Sequence, residues 1–197
     1  SGAVVHNLSL LGVHPSSLDA IVLSHGHYDH VGGLMSVLQH AAKPLPVYAH
    51  SEIFQTRLSV AGKQHYVGIP FSKPQLTGLG AQWVLTDQPT EVIPGLWFSG
   101  QVPRQTDYEK GDSRLFTCQS DGCCVEDSIP DDVSLFHASE QGLRVVGGCS
   151  HAGIINTIRH GFAITGQIRL HTWIGGTHLA PVSAEQQTAT LDALDQL

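Results

Sequence analysis

Positive charge is scarce in this chain: 10 lysines and arginines stand against 17 aspartates and glutamates, a formal net charge of −7. A nucleic-acid-binding face needs a basic, aromatic-interleaved stripe, and its absence predicts no nucleic-acid partner. Long apolar runs are missing as well. No segment approaches the roughly 20 residues that span a bilayer, and the N-terminus has no charged-then-apolar secretion profile, which predicts no membrane partner. Cysteine is sparse, with 4 in the chain, and Cys118, Cys123 and Cys124 crowd into one segment. That is not the disulfide framework of a small secreted domain, so we expect a cytoplasmic location and read the clustered cysteines as ordinary loop thiols. The only methionine is Met35 and the chain opens on Ser1, the pattern expected of a cut or processed chain.

Histidine is the residue in excess, 13 in 197 positions. With 41% hydrophobic residues the length suits one domain, 1–197, with its own core. Within it, Leu23-Ser24-His25-Gly26-His27-Tyr28-Asp29-His30 sets four metal-competent side chains into six residues, directly after the apolar run Asp19 to Leu23. The run reads as a buried strand whose C-terminal end delivers the histidines. Zinc takes imidazole nitrogen and carboxylate oxygen, and a tight turn after a strand points alternate side chains at two neighbouring positions. His25 and His27 then face one ion, Asp29 and His30 a second.

Taken in order, 4–11 is apolar enough for a short helix, and 15–19 is a turn with capping residues. Glycines at 32 and 33 loosen a turn into a helix over 34–40. Pro44 to Pro46 breaks the chain, and Val47 to Ala49 reads as a strand ending at His50, a histidine that either faces the site or is structural. Ser51 is expected to cap a short helix running through Arg57. Residues 59–80 read as irregular strands and loop. Strands are predicted at 82–86 and 96–99, separated by a turn containing Pro89 and Pro94. The polar stretch 100–130 is too long for an ordinary connection and is expected to be an active-site cover or a mobile insertion; within it, Arg104 is a candidate phosphate anchor. A hairpin is predicted from 133–136 and 143–146. Its second strand runs into Gly148-Cys149-Ser150-His151 and then a helix, repeating the first site's plan, so His151 is the next candidate ligand. A last strand, 170–174, leads to His178, the third strand-end histidine. Ser183 with Gln186 then forms a capping box on a helix whose apolar stripe includes Leu191, Leu194 and Leu197.

The HxHxDH pattern after a strand resembles the signature of the metallo-β-lactamase superfamily. That resemblance implies an α/β fold of the αββα sandwich type, with a one- or two-metal hydrolytic site on one edge. Further pieces resemble one branch of it, the 7,8-dihydropterin-6-methyl-4-(β-D-ribofuranosyl)aminobenzene-5′-phosphate synthases. They are LSHGHYDHVGGL from Leu23, PVYAHSEIF from Pro46, PRQTDYE from Pro103, DDVSL from Asp131, GCSHAGIINTI from Gly148 and GGTHL from Gly175. By that resemblance Cys149 lies near the place of a metal-bridging aspartate and Asp132 near that of a ligand histidine. Such proteins also carry strands before the first motif and a strand with a His-Cys-Thr-Gly turn after the last helix, so the chain is expected to be an incomplete copy.

The expectation is a metal-dependent hydrolase or transferase acting on a small anionic, phosphorylated pterin-like substrate through a metal-activated water. His25, His27 and His151 hold one ion; Asp29, His30 and His178 hold the other; Asp29 also orients the water or takes its proton. The cofactor is zinc, as one or two ions, with manganese or ferrous iron as alternatives. A lactonase or phosphodiesterase with the same metals, or an inactive metal-binding remnant, are the rival readings, and a homo-oligomer is compatible with all of them.

Overall fold

The computed structural model describes residues 2–119 and 121–197. Its first third carries α1 (Ala3–Leu10), β1 (Ile21–Val22), α2 (Tyr28–Val31), α3 (Leu34–Ala41), β2 (Leu45–Ala49), β3 (Thr56–Ser59) and β4 (His65–Tyr66). Then follow α4 (Lys73–Gly78), β5 (Ala81–Leu85), β6 (Thr90–Ile93), β7 (Leu96–Phe98), β8 (Leu115–Cys118) and β9 (Cys124–Glu126). The last part holds β10 (Ser134–Ser139), β11 (Gly142–Gly147), α5 (Ile154–Thr165), β12 (Leu170–Ile174) and α6 (Ala184–Leu194). The fold is an α/β sandwich.

Strands β1, β2 and β5 form a parallel sheet in the order β1-β2-β5. Leu45, Val47 and Ala49 alternate into its core, at 1%, 0% and 0% exposure; α3 sends Leu34, Leu38 and Ala41 against them, and Leu76 of α4 completes the layer. Strand β2 begins two residues earlier than the sequence predicts and contains Pro46. The proline is accommodated because Pro46 pairs with Gln82 of β5, whereas β1 reaches only Val47 and Tyr48.

The second sheet runs β12-β11-β10-β7-β6. Strands β10 and β11 make the predicted hairpin, with Gly142 at φ 127° where it turns. Helix α5 then crosses over to bring β12 parallel to β11. Phe136, Leu143 and Val145 meet Ile154, Ile155 and Ile158 of α5 in a second core, which α6 reaches with Leu194. Of the predicted α6 stripe, Leu194 and Leu197 pack there, while Leu191 is exposed and Thr190 is the buried residue.

Five predictions need correction. Residues 51–54 are a turn, and the chain from Thr56 is strand, so Ser51 caps no helix and Arg57 lies in β3. The stretch 59–80 contains α4, whose capping box of Ser72 and Gln75 was legible and was missed. Between Pro89 and Pro94 lies β6, antiparallel to β7, rather than a plain turn. The polar stretch 100–130 is built in: β8 and β9 join β3 and β4 in a third sheet, ordered β4-β3-β8-β9. Cys118 and Cys124 face each other across that hairpin as a disulfide, leaving Cys123 exposed and free, so they are not all loose thiols.

No helix among the described residues is long and apolar enough to cross a membrane. Because Phe136 is fully buried at the centre of the second core, Phe136→Ala is expected to cost about 3–5 kcal/mol, read as a lower urea midpoint.

Candidate metal centre

The C-terminal ends of parallel strands are where an α/β fold gathers reactive groups, since loops from neighbouring strands leave on the same side. Here β1 leads into the first histidine loop, β11 into 148–151 and β12 into 175–178. His25, His27 and His151 converge from two of these loops, with one ligand atom from each within 4.8 Å of the others. Their rings meet edge to face at centroid separations of 4.6, 4.9 and 5.0 Å.

All three are buried. His25 Nε2, His27 Nε2 and both ring nitrogens of His151 have no hydrogen-bond partner among the described residues. A buried polar atom without a partner costs about 1–3 kcal/mol, so several of them aimed at one another ask for a common acceptor of lone pairs. Burial, more than mutual repulsion, drives the His151 imidazole down to about 2 and His27 to about 4, and holds His25 well below its ordinary value. Neutral imidazoles are the form that binds a metal, and the donor set suits zinc or another borderline divalent ion.

The profile of the metallo-beta-lactamase superfamily matches residues 2–113, the part that supplies His25 and His27. The chain belongs to that superfamily. It is 31% identical over 98% of its length to a 7,8-dihydropterin-6-methyl-4-(beta-D-ribofuranosyl)-aminobenzene-5′-phosphate synthase of Methanocaldococcus jannaschii, of which it covers 67%. It is also 34% identical, over 84% of its length, to an uncharacterized protein of the same organism, of which it spans 59%. The crystal structure of a metal-dependent hydrolase of the beta-lactamase superfamily superposes with a TM-score of 0.82 at 23% identity, covering 98% of this chain and 69% of that one.

The metals of this superfamily leave open how the remaining candidates are arranged. Asp29 and His30 sit on α2, with Asp29 Oδ2 3.7 Å from His30 Nε2. His178 falls in neither group of ligand atoms within 4.8 Å among the described residues; it lines the same cavity as Asp29, its ring tilted at 48° to that of His151 with centroids 4.1 Å apart, on a left-handed backbone with φ 45°. His30 turns instead toward His25, ring to ring at 4.1 Å, and toward Cys149, whose Sγ lies 3.1 Å from His30 Nε2. Ser24 Oγ stands behind this pair, 3.2 Å from His25 Nδ1 and 3.3 Å from His30 Nδ1. It thereby fixes ring orientations and leaves each Nε2 facing inward. A cavity of about 180 Å³ opens above, lined among others by His27, Asp29, Asp112, Cys149, His151 and His178.

Arg104 has a positioning role in this structure. Its Nη1 donates to the Glu109 carbonyl at 3.0 Å, and its Nη2 to those of Ser128 and His151, each at 2.8 Å. The guanidinium is thus engaged with the backbone that carries His151. Glu109 accepts from the N–H groups of Ile155 and Asn156, both at 2.9 Å, capping α5 just after the histidine loop. Gly153 is required there, since a Cβ would run into the Glu109 carboxylate.

Asp131 is the residue that sequence reasoning quoted and left without a role. Its Oδ2 accepts from the Gly26 N–H at 2.7 Å and from Arg57 Nη1 at 2.9 Å, while its Oδ1 accepts from Arg57 Nη2 at 2.6 Å. Arg57 Nε also donates to Asp127 at 2.8 Å. The triad is buried, and Gly26 admits no side chain, because a Cβ would lie 2.4 Å from the Ile53 carbonyl oxygen and 2.5 Å from Arg57 Nη1. The neighbouring Asp132 accepts from the Ala152 N–H at 2.9 Å, and the Val133 N–H donates to the Ser24 carbonyl at 2.8 Å. His50, at the end of β2, is buried with its Nδ1 accepting from the Glu52 N–H, and it joins neither histidine grouping.

Removing Asp131 leaves Arg57 as a buried charge with one partner fewer. Asp131→Ala is expected to lose about 3–5 kcal/mol in urea unfolding. A second expectation concerns pH. His151 titrates near 2 in the folded chain and near 6.5 when unfolded, so below 6.5 the unfolded state binds the extra proton. Metal-free protein should lose about 2 kcal/mol from this residue between pH 7.5 and 5, a loss that His151→Gln abolishes in paired urea titrations.

Proposed function

We propose that the chain is a metal-dependent hydrolase or transferase acting on a small anionic substrate, phosphorylated and pterin-like. The observation that carries the chemical half of this reading is the buried group of unpartnered imidazoles from His25, His27 and His151, two of which line the cavity above. A divalent ion held by that group supplies Lewis acidity and brings water deprotonation into the neutral range. Zinc fits the donors, with manganese or ferrous iron as alternatives.

The chain's own residues supply the rest. Asp29, exposed at the cavity wall, is placed to orient the attacking water and take its proton. His178, its ring tilted against that of His151 at the same wall, faces the substrate. The Arg104 contacts keep the His151 loop from moving as charge develops, so the imidazole geometry is set before substrate arrives. Support for an anionic substrate comes from the relative named as a synthase, which by its name makes a 5′-phosphate.

A metal assay joined to a substrate panel tests this. Purified chain should carry at least one equivalent of divalent metal, and hydrolysis of phosphoesters in the panel should fall on the order of 100-fold with chelator or with His27→Ala. Unchanged activity in His27→Ala would remove the site assignment, and turnover of lactones alone would move the substrate class away from phosphates.

A further inference from the structure

Resting on the metal reading above, we propose that the Cys118–Cys124 pair is a thiol–disulfide exchange site for a dithiol, and that its state sets how tightly the histidine centre holds an ion.

The bond joins β8 to β9 at the rim of the third sheet, where the register places Cys118 between Thr56 of β3 and Cys124 of β9. Cys124 is exposed and Cys118 half-buried, so a thiolate can reach the bond from solvent. Attack on the Cys124 sulfur breaks the bond and forms a mixed disulfide, and Cys118 leaves as a thiolate that takes a proton. The second thiol of the reagent then attacks the mixed disulfide and frees Cys124. Two electrons pass to the chain, and the dithiol leaves as its own disulfide.

Little else fastens β9. It is an edge strand of three residues, Cys124, Val125 and Glu126, all exposed, and among the described residues it pairs only with β8. With no buried apolar side chain, it belongs to the segments that open first when a covalent tie is cut. Asp127 follows directly and is buried. Its N–H donates to the Leu115 carbonyl at 2.9 Å, its Oδ1 accepts from the Ile129 N–H at 2.7 Å, and its Oδ2 accepts from Arg57 Nε at 2.8 Å.

Arg57 connects that strand to the metal centre. Its guanidinium is shared between Asp127 and Asp131, and Asp131 holds the Gly26 N–H between His25 and His27. The path is short, because Cys118 pairs with Thr56, the residue before Arg57. When β9 frays, Asp127 is drawn away and Arg57, 1% exposed, keeps one carboxylate of its two. A buried guanidinium with less counter-charge repels a cation held nearby, and the Gly26 turn is left on a network with one member fewer. Both effects weaken ion binding in the reduced chain.

Zinc affinity of the full chain, measured by competition with a chromophoric chelator, tests the proposal. The oxidised chain is compared with chain reduced by dithiothreitol, which is removed without air before zinc is added. Reduction should weaken zinc binding about tenfold, the scale for losing a group that supports metal ligands, and reoxidation should restore it. Cys118→Ser/Cys124→Ser should show the weaker affinity with or without dithiothreitol, while Cys123→Ser should respond as wild type does. Asp127→Asn should weaken binding in the oxidised chain and blunt its response to reductant. Equal or tighter zinc binding after reduction, or a response that survives in the double variant, would overturn the proposal and leave the histidine centre standing. No zinc bound in either state would overturn the metal reading itself. Hydrogen exchange of the metal-free chain gives a readout independent of zinc: reduction should speed exchange at the 125–127 amides and leave β10 and β11 unchanged. Exchange that rises throughout the chain, or nowhere, would mean that the bond has no local hold on Asp127 and would sink the proposal.

Discussion

Asp131 accepts three hydrogen bonds from two groups far apart in sequence, and most of the site's geometry depends on that sharing. Two bonds come from Arg57 on β3, and the third comes from the Gly26 N–H between two of the clustered histidines. Burial pushes the Asp131 carboxyl up to about 7, against the pull of the Arg57 guanidinium and the Gly26 N–H. A buried carboxylate is tolerated only with such partners. Once Arg57 fixes Asp131, the Gly26 amide must come to it, and His25 and His27 are held on either side of that amide. Asp127 closes the arrangement by taking the remaining Arg57 nitrogen, so the charge does not reach the imidazoles uncompensated.

The two residues after Asp131 extend the same control to the other loops. Asp132 holds the Ala152 N–H next to His151, and Val133 ties its own N–H to the Ser24 carbonyl at the exit from β1. Three consecutive residues thus set the spacing between a loop from one sheet and a loop from the other. Arg104 and Glu109, from the polar stretch 100–130, fix the far side of the His151 loop and the start of α5. That stretch is part of the frame of the centre rather than a cover over it. Its apolar share is small and scattered, Val102, Leu115 and Ile129 being buried without a regular spacing, which is why hydrophobic periodicity gave no sign of it.

The legible parts of the fold were those with a local signal. The β10–β11 hairpin has a glycine turn between alternating strands, β1 lies in a branched apolar run, and α6 has Ser183 accepting from the Gln186 N–H. Arg57 was misread because a polar start at Ser51 looks like a cap, whereas its burial is decided by Asp127 and Asp131, 70 and 74 residues away. The disulfide between Cys118 and Cys124 likewise depends on β8 and β9 being paired, which their weak apolar pattern did not announce. Within the site, the HxHxDH spacing and the strand-end position of His151 were visible. The second grouping was not, because His30 turns toward Cys149 and His178 toward His151 by virtue of loop contacts such as Ser150 to Gly176.

The centre itself contributes little to folding without an ion. Its imidazoles are buried and neutral, with nitrogens that find no protein partner, and each such atom disfavours the folded state by about 1–3 kcal/mol. The two apolar cores and the Arg57 network must therefore hold the loops in place against that cost, and they do so from outside the cluster. An ion that takes up the free lone pairs removes the penalty, so its binding free energy appears partly as added stability of the fold. The same logic explains why the charged pairs lie one layer behind the histidines: they fix the loops while leaving free the imidazole nitrogens that could hold an ion.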